Sequence, residues 1–262
     1  MHVAQAMRDG LARHGINADI KDKFMSVSAD LAIAYGWVNK NIFAEYAAAG
    51  KRFLYVDLGF WHRRGVDPNR YDGYHKIVID NWCPVKTMQR GCPGDRLKRF
   101  GVELKQAKPG AHIVVAGMSE RSAQDHGMVA EQWERSAIGM IKAHSARSII
   151  YRPKPSWKQA REIGGVGYVK EGKIESVLDG AHALVTHHSN TAIDAIAAGV
   201  PVYCKTGVGS ILSTVSLDDI ENPRVPSDAE RLSLLQDVAY LQWSIAEMRS
   251  GACWDYLRGR LA

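Results

Sequence analysis

Apolar residues along this 262-residue chain gather into short runs of strand length, separated by stretches with helical spacing. Residues 30–35, 52–57, 74–79, 112–117, 148–151, 183–186 and 200–204 each read as a largely buried strand. Between them, Val3, Ala6, Met7 and Leu11 share one face of an opening helix, and Gly50 stops a second one over 39–49. Trp133, Ile138 and Ile141 mark a helix over 131–143. Leu232, Leu235, Val238, Leu241, Ile245 and Met248 give residues 229–261 a mostly helical reading. Strand and helix alternating in two successive runs predict an α/β protein of two doubly wound parallel sheets. Residues 81–109 are loop-like, with Pro84, Gly91, Pro93, Gly94 and Pro109 and one short helix. The expected domains are therefore 1–108 and 109–262, with the last helix packing back on the first. No strand precedes the opening helix, so the first domain is either a reduced form or short of a strand.

The pattern is sharpest over residues 183–204. An apolar strand, 183–186, runs into the polar cluster His187, His188, Ser189, Asn190 and Thr191, which is rich in residue types that cap helices. A helix of small residues follows, 191–198, with Gly199 at its expected stop and Pro201 just beyond. The resulting strand–loop–helix–strand unit presents helix N-terminal N–H groups, which suit an anion. A Ser/Asn/Thr cap also needs no ligand to account for it. Asp194, in the first turn, leans back toward the loop; it can accept hydrogen bonds from ribose hydroxyls or simply complement the helix dipole.

Composition changes this picture little. With 46% hydrophobic and 24% charged residues the chain is globular, and no run approaches the length of a membrane span. No signal peptide is visible, and four irregularly spaced cysteines suit a reducing compartment, so a cytoplasmic location is expected, that of the host cell if the protein is phage-encoded. The net charge of +6 favours anionic partners such as nucleotides, sugar phosphates or nucleic acid.

Open parallel sheets bind ligands outside the carboxyl ends of their strands, and four loops there carry chemistry. Arg152 and Lys154 alternate with Pro153 and Pro155, which hold the two cations in place for phosphate. Gly117 and Ser119 can bring backbone N–H groups to the same ligand. Asp57 ends a strand close to His62, Arg63 and Arg64, and a carboxylate or imidazole there can serve as the base in group transfer; Asp57 is the first candidate and His62 the second. Strand-end aspartates also commonly brace the loop that follows. His75 reads as structural.

Residues 186–202, from Thr186 through the His-His-Ser-Asn-Thr cluster to Ala198, Gly199, Val200, Pro201 and Val202, resemble the nucleotide-sugar motif of GT-B glycosyltransferases. The capsule-polysaccharide and sialyltransferase-like branches are the most similar. The Arg-Pro-Lys-Pro segment at 152–155 resembles the basic segment such proteins carry two strands earlier. The combination with Asp57, Leu58, Gly59, Phe60 and Trp61 looks like small phage-encoded members.

The resemblance implies two Rossmann-like domains facing a cleft, the first reduced, and a metal-independent transferase of hexosyltransferase type with no cofactor. Its substrate would be a UDP-linked sugar. Carried over by position, Ser189, Asn190 and Thr191 would hold the diphosphate, Asp194 the ribose, where the family more often has Glu, and Arg152 and Lys154 the departing charge; His188, from its own place in the loop, can touch the phosphate as well. The acceptor would be a hydroxyl group, with a modified base in phage DNA as one option. The alternative is a non-catalytic protein binding a nucleotide or nucleotide signal on the same scaffold. The sequence leaves the oligomeric state open.

Overall fold

In the computed structural model, which describes residues 2–65 and 70–261, the chain divides into two units. One is Met1–Phe100 together with Gln236–Ala262, the other Gly101–Leu235. The first begins with helix α1 (His2–Ala12), then strand β1 (Leu31–Tyr35), helix α2 (Lys40–Ala48), β2 (Arg52–Leu58), β3 (Tyr74–Ile79) and the short helix α3 (Asp95–Arg99). The second contains β4 (His112–Ala116), α4 (Glu120–Asp125), α5 (Gln132–His144), β5 (Ser148–Arg152), β6 (Gly167–Tyr168), α6 (Ile174–Leu178), β7 (Ala181–Thr186), α7 (Thr191–Ala198) and β8 (Val202–Cys204). Helix α8 (Asp228–Ala239) carries the chain back to the first unit. There β9 (Gln242–Ser244), α9 (Ile245–Ser250) and α10 (Ala252–Leu261) complete it.

The sheet of the second unit is wholly parallel, in the order β6-β5-β4-β7-β8. Its first strand in chain order is central; the chain works outward to β6, then returns to the other side of β4 with β7 and β8. That is the strand order 3-2-1-4-5 of a dinucleotide-binding fold, whose direction reverses between β4 and β7. Both faces are covered, which explains why these strands read as unbroken apolar runs. Ile113, Val115, Ala183 and Val185 pack toward Ile138 and Ile141 of α5, all nearly or wholly buried. Helices α6 and α7 lie against β7.

The first unit is the reduced one, and its sheet departs from the expected parallel pattern. Its order is β1-β2-β3-β9, with only β1 and β2 parallel; β3 runs against β2, and β9 against β3. The reason lies in the connection. A parallel return needs a crossover, usually a helix, whereas among the described residues 59–73 form none. The helical reading of 229–261 is likewise broken: Gln242–Ser244 is a strand paired with Tyr74, His75 and Lys76. Ser244 then starts α9 with a capping box, its side chain accepting from Glu247 N while the Glu247 carboxylate accepts from Ser244 N. Trp243, Met248, Cys253 and Leu257 enter one core with Ala6, Met7, Leu54, Val56 and Ile77. Leu232, placed on the apolar stripe by its spacing, is instead 40% exposed.

Candidate functional site

The point where the second sheet reverses direction gathers most of the residues singled out by sequence. The ends of β4 and β7 are tied directly, Thr186 Oγ1 donating to Ala116 O at 2.8 Å. Gly117 follows β4, and its N–H bonds to Arg152 O at 2.9 Å. A methyl group there would meet the Glu134 carboxylate and the Tyr151 ring, so the backbone lies close against both. Ser119 caps α4 by accepting from Ser122 N at 3.3 Å. From that helix Ser122 Oγ reaches across to His188 Nε2 at 3.0 Å. Gly117, Ser119, His188 and Ser189 therefore belong to one neighbourhood.

The start of α7 is partly satisfied from within. Ser189 Oγ accepts from Thr191 N at 3.2 Å and Ser189 O from Ala192 N at 3.1 Å, while Asn190 occupies the cap position in a helical conformation without a side-chain cap bond. Thr191 Oγ1 is buried with no hydrogen-bond partner among the described residues. Asp194 is half-buried within the first turn. The helix ends as its sequence requires, Gly199 taking the left-handed conformation at φ 76° and donating back to Ile196 O.

Arg152 and Lys154 do different jobs. Arg152 is 5% exposed, and its guanidinium donates to the carbonyls of Val169, Glu171 and Gly172, at 3.5, 3.0 and 2.6 Å. Burial lowers its pKa, opposed by the charges of Glu171 and Glu175. Its guanidinium clamps the 169–172 segment through these bonds. Lys154 is exposed on the same loop, and its carbonyl accepts from Trp157 N.

Three histidines meet beside Ser122. One imidazole nitrogen from each of His126, His187 and His188 lies within 4.8 Å of the others. His187 and His188 face each other through Nδ1 atoms 2.9 Å apart. Trp133 stands edge-on to His187, ring centres 5.6 Å apart. Burial, then the charges of His126 and Lys205, push the His187 pKa down to about 4, so its ring is neutral at physiological pH. Beneath Gly117, Glu134 is fully buried; its Oε1 accepts from Met118 N at 2.7 Å while Oε2 has no partner among the described residues. Burial raises its pKa, opposed by the N–H of Met118.

In the first unit, Asp57 braces its own surroundings. Tyr55 Oη donates to Oδ2 at 2.6 Å, Leu58 N donates to Oδ1 at 2.8 Å, and Lys76 Nζ lies 3.8 Å from Oδ2. Tyr55 stands two residues back on the same face of β2, and Lys76 is Asp57's register partner on β3. Burial first and then Asp57's charge raise the Tyr35 pKa to about 12, and Tyr55 is raised for the same two leading reasons. A carboxylate has about four lone-pair positions, so two hydrogen bonds leave room for a substrate hydroxyl. His62 is exposed, with φ at 46°, and packs edge-on against Phe100. No contact joins it to Asp57 among the described bonds. His75 is buried on β3 beside Tyr35, its pKa lowered chiefly by burial. A cavity of about 580 Å³ in this unit is lined by Trp37, Phe43, Phe53 and Trp82, and by neither Asp57 nor His62.

Sequence reasoning passed over His126, Ser122, Glu134, Tyr55 and Lys76. Tyr55 had a signal, since residues two apart on a strand share a face, whereas Lys76 meets Asp57 only through the pairing of β3 with β2. The others come from helices and a loop that only the tertiary fold brings to the switch point.

No protein-family model matches the chain, and no curated protein matches it by sequence. Solved structures do. The beta Kdo 2,4 transferase KpsC of Thermosulfurimonas dismutans matches over 88% of this chain and 86% of its own, with a TM-score of 0.51 at 11% identity. The beta Kdo 2,7 transferase KpsC of the same organism matches over 86% and 85%, with a TM-score of 0.50 at 12% identity. Identities this low speak to the fold alone, which is a GT-B glycosyltransferase-like one. Among the described residues no helix is long and apolar enough to cross a membrane.

Proposed function

We propose that the protein is a glycosyltransferase whose second unit holds a nucleotide-linked sugar at the reversal point between β4 and β7. The observation that carries this reading is the all-parallel 3-2-1-4-5 sheet with the polar start of α7 at its switch point. In this reading the N–H end of α7 and the exposed Lys154 face the diphosphate, and Thr191 Oγ1 is a further donor. Asp194 takes the ribose hydroxyls. Arg152 contributes by holding the 169–172 segment.

Asp57 acts as the base. It removes the proton of an acceptor hydroxyl, whose oxygen attacks the anomeric carbon as the bond to the nucleotide breaks. Lys76 and Tyr55 keep Asp57 oriented until then. Titration calorimetry with uridine, cytidine, guanosine, adenosine and thymidine mono- and diphosphates tests the donor site. One nucleotide binding with 1:1 stoichiometry, weakened by Lys154→Ala, is expected; no binding by any of them overturns the reading.

The +6 net charge also admits a polyanionic acceptor such as DNA. Binding to duplex DNA that falls steeply between low and moderate salt is the mark of that option.

A further inference from the structure

We propose that His126, His187 and His188 form a binding site for a divalent transition cation of the zinc type. The donor atoms are already gathered. Nitrogens no more than 4.8 Å apart have a common point within about 2.8 Å of each, by the geometry of such a triangle. Zinc–imidazole bonds are about 2.0–2.1 Å, so each ring needs to shift by less than about 1 Å.

The rings are also oriented from behind. Ser122 Oγ meets Nε2 of His188 at 3.0 Å, which leaves Nδ1 as the inward nitrogen, 2.9 Å from the corresponding atom of His187. A second polar group on the outer nitrogen is how ligating histidines are ordinarily fixed in tautomer and direction. Trp133, edge-on to His187, adds an apolar wall on that side. His126 closes the group from the loop after α4, its ring centre 4.6 Å from that of His187 and 5.1 Å from that of His188.

Three imidazole ligands suit zinc, copper, nickel or iron(II), and not magnesium or calcium, which take oxygen ligands. A three-histidine set leaves a fourth tetrahedral position for water or an anionic oxygen. The sequence reading expected no metal. It had no means of placing His126, which lies 61 residues before His187.

The site is tested with the metal ion alone, so its outcome is separate from that of the nucleotide titrations. Protein freed of metal by chelator and dialysis is titrated with zinc chloride by calorimetry and with cobalt(II) chloride by visible absorption. One ion per chain is expected, with cobalt bands of tetrahedral intensity. The exposed His126→Gln should weaken binding at least tenfold without loss of the folded circular-dichroism signal. Ser122→Ala should weaken it about tenfold to a hundredfold through the outer nitrogen of His188. Binding of less than one zinc per chain, or equal affinity in wild type and both variants, overturns the proposal. A His144→Gln variant, altering a histidine on α5 outside the cluster, should bind as wild type; a loss there equal to that of His126→Gln would also overturn it.

Discussion

Gln242 joins the returning C-terminal segment to the loop that follows Asp57, and its replacement by leucine tests that link. The side chain is fully buried, and one oxygen serves two donors, Phe60 N at 2.7 Å and Trp61 N at 3.2 Å. Gly59 leaves room for that oxygen, since a methyl group there would press on it and on Tyr74 O. Leucine fills much of the same space but accepts no hydrogen bond. Phe60 is 5% exposed, so water does not readily reach its N–H, while Trp61 is half-exposed and partly recovers. A stranded buried donor costs about 1–3 kcal/mol, giving about 2–4 kcal/mol for the pair. Hydrogen exchange followed by mass spectrometry or NMR reads this as opening of 59–62, with the amides of Phe60 and Trp61 exchanging about 30- to 1,000-fold faster. Gln242→Glu keeps the acceptor oxygen and gives up an amide nitrogen that has no partner among the described residues, so it should restore much of the protection. Unchanged exchange at 60 and 61 in the leucine variant would refute the reasoning.

Further outcomes follow from the same structure. Asp57→Asn should lower the transfer rate by about 100-fold or more while leaving nucleotide affinity unchanged, as removal of a general base does; an active Asn variant in a product assay would assign the base elsewhere. Arg152→Met should cost about 2 kcal/mol in urea unfolding through its lost carbonyl bonds, whereas Lys154→Ala should leave stability unaltered. Arg96 donates to Glu247 at 2.7 Å in the first unit, with side chains 6% and 18% exposed. Burial works to raise the Glu247 pKa, but the bonds from Arg96 and Ser244 outweigh it and hold it below its ordinary value. The folded value being lower, the pair's stabilisation is present above the unfolded value near about 4.3 and is lost as pH falls through the folded one. Acid titration of stability should therefore be shallower in Glu247→Gln, which at neutral pH loses about 3–5 kcal/mol by leaving Arg96 buried and unpaired. Gly10→Ala should destabilise α1 against α9, because the added methyl falls on the carbonyl of Met248; thermal unfolding of the variant checks it.

The unit over 183–204 was legible because its signals are local: an apolar run, capping residues, small helical residues, then Gly199 and Pro201. Each acts within a few residues of itself, and the structure places β7, α7 and β8 accordingly. The direction of β3 was not legible, since alternation marks a strand without its sense, and only the lack of a crossover helix over the described part of 59–73 decides it. Arg152 could not be separated from Lys154 by sequence. Two cations on one loop differ only through what they meet, and the carbonyls of 169–172 arrive from a later strand and turn. Leu241, Ile245 and Met248 looked like one continuing helical stripe because three strand residues are too few to break a period of 3.6.

The first unit is built from both ends of the described chain, and this sets an order of events during synthesis. Residues 101–235 are contiguous and can close their sheet as soon as they have emerged. The earlier-made β1, β2 and β3 must wait, with Leu54, Val56 and Ile77 short of Trp243, Met248 and Leu257, until the final stretch has been translated. The unit holding β1, β2 and β3 is thus completed after the one that follows it. A chain cut short near residue 236 would carry a closed parallel sheet joined to an open three-stranded edge at β3, the kind of edge that pairs with whatever strand comes near.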